Sequence, residues 1–66
     1  MTISVNAREQ TVSAGCTVQG LLDRLGFTQK RVAVEVNQEL VTKSQWSEFK
    51  LNDGDKVEIV TFVGGG

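Results

Sequence analysis

The 66-residue chain has no histidine and a single cysteine. Without histidine there is no imidazole base, no Ser–His–Asp arrangement and no histidine-based zinc site. One cysteine allows neither an internal disulfide nor a zinc ribbon. The "NDGD" stretch resembles a calcium loop only superficially, lacking the alternating ligands and the closing glutamate, so no metal is expected. Long apolar runs are missing as well, and the N-terminus shows no signal-peptide pattern. The expectation is a cytoplasmic protein with no membrane contact.

A basic face is also lacking. Seven Lys and Arg stand against eight Asp and Glu, for a net charge of −1, and the cations are scattered. No nucleic-acid partner is expected of such a surface. A chain this short forms one domain near the lower limit for unaided folding, with little room for an enclosed active site. The composition therefore points away from an enzyme and toward a small module that other proteins bind or act on.

What the chain does contain is a clear change of hydrophobic period. "TISV" at 2–5 alternates as a strand, with Ile3 and Val5 facing inward. "NAREQ" is read as a turn into a second strand ending near Val12 and Ser13, although Asn6-Ala7-Arg8 is a weak turn signal. Val18, Leu21, Leu22 and Leu25 then fall on one helical stripe. Thr17 is the expected N-cap and Gly26 the left-handed C-terminal residue, with Phe27 folding back toward Leu22. Gly20, inside the helix, costs about 1 kcal/mol against alanine and is expected to mark a close approach to the sheet.

Val32, Val34 and Val36 alternate in a third strand, which Asn37-Gln38 turns into a short partner, "ELVT". Trp46 and Phe49, three apart in "KSQWSEF", suit one irregular or 3₁₀ turn. "KVEIVTFV" is the last strand. The order strand, strand, helix, strand, strand, turn, strand predicts an α+β fold with one main helix packed on one face of a mixed sheet. A β-grasp, with the first and last strands parallel in the middle, meets these constraints. It would occupy residues 1–63, with 64–66 as a flexible glycine tail.

The last strand carries the functional expectation. A charged Glu58 under the helix would be costly, so it should face water. Period two then sets Val57, Ile59, Thr61 and Val63 toward the helix, and Glu58, Val60 and Phe62 on the open face. Val60 and Phe62 become a candidate partner-binding patch. The alternative is that Trp46 or a loop folds over them. Beyond lies "GGG". Three extended glycines reach about 10 Å, and without Cβ atoms Gly64 and Gly65 can thread a narrow channel. Gly66 then presents a carboxylate with a pKa of about 3.5, ionised and unreactive until another protein activates it.

The segments "TVQGLLDRLG", "VAVEVNQELVTKSQW" and "LNDGDKVEIVTFV", with the final Gly65-Gly66, resemble the ThiS family. These are ubiquitin-like sulfur carrier proteins of thiamine biosynthesis. The resemblance spans essentially the whole chain. Trp46 and the short length fit this family better than the molybdopterin-synthase small subunit, and "VGGG" has one more glycine than the family ending needs. The resemblance implies that an E1-like, ThiF-type enzyme adenylates Gly66 with ATP and magnesium. A sulfur donor such as a cysteine desulfurase would supply persulfide sulfur that displaces AMP and leaves a thiocarboxylate. A ThiG-type thiazole synthase would take up that sulfur. The chain itself would bind no cofactor and have no turnover. Gly64 and Gly65 would thread into the partner, and Val60 and Phe62 would dock.

Cys16, near the helix N-terminus, reads as a half-buried structural residue, with a persulfide relay as the alternative. Two other readings of the whole chain stay open. One is a ubiquitin-like modifier joined to lysines through Gly66, or a carrier for another pathway such as molybdopterin. The other is a non-covalent β-grasp binding domain with incidental glycines.

Overall fold

The last strand in sequence lies at the centre of the sheet. In the computed structural model, which describes residues 1–27 and 30–62, the strands are β1 (Thr2–Val5), β2 (Arg8–Thr11), β3 (Val32–Val36), β4 (Glu39–Val41) and β5 (Lys56–Thr61). Among the described residues a single α-helix, α1, covers Val18–Leu25, and a 3₁₀ turn covers Lys43–Gln45. The sheet order is β2-β1-β5-β3-β4. β5 runs parallel to β1, in register Val5↔Val57, and antiparallel to β3, from Val36↔Val57 to Val32↔Thr61. Only a crossover can join parallel neighbours, and the α1 region with the second hairpin provides it.

Both hairpins close through two-residue turns with positive φ at each central residue: Asn6 (51°) and Ala7 (69°), then Asn37 (52°) and Gln38 (70°). This is the type I′ pattern, whose twist matches the flanking strands. The first turn is tighter than its sequence suggests, because Ala7 tolerates this region poorly. Its compensation is tertiary. Asn6 Nδ2 donates to the Ile59 carbonyl at 3.1 Å, and its Oδ1 accepts from the Ile59 N–H at 2.8 Å.

The second turn is tied to the same strand. Asn37 Oδ1 accepts from the Lys56 N–H at 3.0 Å, and its Nδ2 donates to Asp55 Oδ1 at 3.0 Å. Asp55, a buried charged side chain, also accepts from the Asn52 N–H at 2.7 Å. Burial of this carboxylate is thus matched by hydrogen bonds, as it must be to be tolerated.

The helix begins and ends where its capping residues place it. Thr17 is extended (φ −96°, ψ 167°) and its Oγ1 accepts from the Gly20 N–H at 3.1 Å. The first two helical N–H groups are taken by the segment that follows the 3₁₀ turn: Val18 donates to the Phe49 carbonyl and Gln19 to that of Trp46, each at 3.0 Å. With those donors satisfied, this helix end holds no spare N–H for an anion. At the C-terminus Gly26 sits at φ 82°, and Phe27 donates to the Leu22 carbonyl at 2.9 Å, a Schellman closure.

Gly20 does not approach the sheet. It is exposed, and a Cβ there would meet only Thr17 Oγ1 at 3.4 Å and Cys16 Sγ at 3.9 Å. Its position on the solvent side of the stripe removes any need for a close approach.

The core is the helix stripe against one sheet face. Val18, Leu21 and Leu22 join Ile3, Val5, Val34, Val36, Val57 and Ile59 in one buried cluster, with Val12, Val41, Trp46 and Leu51 completing it. Thr61 is exposed, contrary to the expectation that it would be covered. Its side of the strand is the expected one, but eight helical residues span about 12 Å, whereas six strand residues span about 20 Å. On that face burial ends at Ile59.

Candidate functional site

The open face of the sheet follows from the same alternation. Val57 and Ile59 are buried, while Glu58, Val60 and Phe62 are exposed. Val60 is 56% and Phe62 61% exposed, large values for apolar side chains on and beside a central strand. The β3–β5 register places Ala33 opposite Val60, and Phe62 donates its N–H to the Arg31 carbonyl at 3.0 Å. Phe62 therefore continues the ladder one residue past β5 rather than leaving the sheet.

Trp46 does not cover this patch. It belongs to the core cluster on the helix side, 8% exposed, with Nε1 donating to the Val41 carbonyl at 3.0 Å. A third large apolar side chain joins the patch instead: Leu40, 62% exposed, in register with Glu35 on the face shared with Glu58. The pattern "ELV" contained the signal for it. Val41 faces the core, so its neighbour Leu40 must face out.

Val63 and the threading and activation residues, Gly64, Gly65 and Gly66, lie outside the described residues. They follow in the sequence directly after Phe62, which ends the described part of the central strand on its apolar open face. Cys16 is half-buried against the core, with Sγ 3.4 Å from the Thr17 carbonyl oxygen. Among the described residues no group of three or more Cys, Asp or Glu is placed to hold a metal. Nor, among them, is any helix long and apolar enough to cross a membrane.

A mixed five-stranded sheet of this order, grasping one helix and ending in its central strand, is a ubiquitin-like β-grasp. Comparison with known proteins narrows the class. The ThiS family model matches residues 3–66. The sulfur carrier protein ThiS of Escherichia coli is 33% identical over 66 residues, covering all of both chains. A thiamine biosynthesis protein (ThiS) from Geobacter metallireducens superposes over the full length of both chains with a TM-score of 0.85 at 35% identity. A thiazole synthase of Paramagnetospirillum magneticum is 48% identical over all 66 residues, which span only 20% of that protein. This chain belongs to the ThiS family.

Proposed function

We propose that the chain is a sulfur carrier for thiamine biosynthesis, acting as a protein co-substrate rather than a catalyst. One observation carries the proposal: the central strand ends in an exposed apolar face, Val60 and Phe62, and Gly64, Gly65 and Gly66 follow it in the sequence. Such a face docks on a partner, and a segment without side chains enters where a bulkier one would not.

In this reading an E1-like enzyme, using ATP and magnesium, joins the Gly66 carboxylate to AMP and releases pyrophosphate. The outer sulfur of a cysteine persulfide, supplied by a desulfurase, then displaces AMP to give an acyl disulfide. A second thiol of the sulfur donor or activating enzyme cleaves its S–S bond, forming a disulfide with the donor cysteine and leaving Gly66 as a thiocarboxylate. Thiazole synthase is the proposed acceptor. Support for that pairing comes from the Paramagnetospirillum magneticum protein named thiazole synthase, a fifth of whose length aligns with this whole chain. A cytoplasmic setting belongs to the same proposal.

The chain's own contribution is positional. Asn37 and Asn6 hold the β5 backbone from either side at Lys56 and Ile59, the part of the strand that leads into the patch. The test is intact mass after incubation with an E1-like adenylating enzyme, ATP and a sulfur donor. Exchange of one carboxyl oxygen for sulfur adds about 16 Da. An unchanged mass in the presence of a competent activating enzyme would sink the proposal.

A further inference from the structure

The β3–β4 ladder stops early. Its register starts at Val34↔Val41, and the chain turns away at Thr42 into the 3₁₀ turn. Val32 remains in β3, paired with Thr61 of β5 on one side and without a β4 partner on the other. In an antiparallel ladder successive residues direct their N–H and C=O groups to alternate sides. Phe62 bonds to Arg31, so Arg31 and Ala33 point toward β5, and Val32 points toward the side that no described strand occupies. An open stretch of strand edge is a template for another strand.

A groove of ≈ 560 Å³ lies at this notch, bordered by Val32, Ala33, Leu40, Val41, Trp46 and Phe62. Among the described residues its charged border is cationic, Lys30, Arg31 and Lys43, with no acid among those that line it. Lys30 is directed toward Phe27, its Nζ 6.0 Å from the ring centroid. Arg31 and Lys43 are both exposed. In a chain of net charge −1 this is a local concentration of positive charge above an apolar floor.

We propose that this notch accepts an extended, acidic segment of a partner protein by strand addition. The segment's backbone pairs with Val32, one aliphatic side chain enters the groove over Val41 and Trp46, and flanking carboxylates meet Arg31 and Lys43. Backbone pairing supplies affinity in this mode, and the side-chain site with its charges supplies selectivity. The proposal uses none of the glycines 64–66 and does not depend on the sulfur-carrier reading, although Leu40 and Phe62 border both surfaces.

The experiment uses the full chain, ¹⁵N-labelled, titrated with a capped peptide of alternating aspartate and valine. Saturable shifts at Val32, Leu40 and the Trp46 indole N–H are expected, with a change in fluorescence from the single tryptophan. Arg31→Glu and Lys43→Glu should each weaken binding by about tenfold. A matched lysine–valine peptide should not bind, an arm that holds even if a charge-reversed variant fails to fold. No saturable shift with peptide at about 1 mM, equal binding of the lysine peptide, or affinity unchanged in both variants would overturn the proposal. Identical shifts with inorganic phosphate would do so too, showing a simple anion site.

Discussion

Asn6 and Ile59, 53 residues apart, are joined by two hydrogen bonds from one side-chain amide to both polar groups of one backbone residue. The amide extends the β1–β5 pairing past its last backbone bond, from the Asn6 N–H to the Val57 carbonyl at 2.9 Å. Asn6→Ala should therefore lose both bonds and place alanine at φ 51°. The expected destabilisation is about 2–3 kcal/mol, combining unpaired backbone groups with left-handed strain. Urea midpoints measure it. A midpoint equal to the parent's would mean the amide bonds add nothing to the fold.

Leu22→Ala should cost about 2–5 kcal/mol, since Leu22 is 1% exposed and packs in the centre of the core. A domain of this size has little stability to spare, so most of the population could unfold. Circular dichroism melting checks this, and a parent-like curve would contradict the position of the helix stripe.

Asp55→Ala should also destabilise, by about 1–3 kcal/mol. It leaves the Asn52 N–H and one Asn37 amide hydrogen without their acceptor in a partly buried loop. The second hairpin should loosen first. Faster hydrogen exchange at Asn37 and Lys56 than at Ile3 and Val57 is the expected signature.

Much of this architecture was readable from the chain. Period two in "KVEIV" and the Val18–Leu21–Leu22–Leu25 stripe fixed which faces are buried, because both signals are local and strictly geometric. Thr17 and Gly26 marked the helix ends for the same reason. Asn6 was harder to read, since its role depends on a strand 53 residues away. Asp55 looked like one turn residue among several, and only its tertiary partner Asn37 reveals why it is buried. Gly20 faces solvent rather than the sheet, and a helical glycine carries no signal by itself of which neighbour it faces. Leu40 was legible from Val41 but was masked by the shortness of its strand.

Phe62→Ala separates docking from folding. With 61% of the side chain exposed, its loss should change stability by less than about 0.5 kcal/mol. The backbone bond to Arg31 persists in the variant. Affinity for the activating enzyme should fall, by about 2 kcal/mol if Phe62 is an interface anchor. Calorimetric binding beside denaturant midpoints reads both quantities, and a lowered midpoint with unchanged affinity would contradict the assignment.

Gly65→Leu and deletion of Gly66 should both abolish activation while leaving the melting temperature unchanged. Threading fails when a branched side chain enters a channel shaped for glycine. Normal adenylation of the Gly65→Leu protein would remove the reason for the glycine run.

The most direct measurement is fragmentation mass spectrometry of the chain after reaction with activating enzyme, ATP and sulfur donor. The sulfur-carrier account predicts a gain of about 16 Da confined to the fragment that contains Gly66. A gain of about 32 Da on the fragment containing Cys16, with Gly66 unmodified, would instead mean a persulfide on the thiol and would contradict the account.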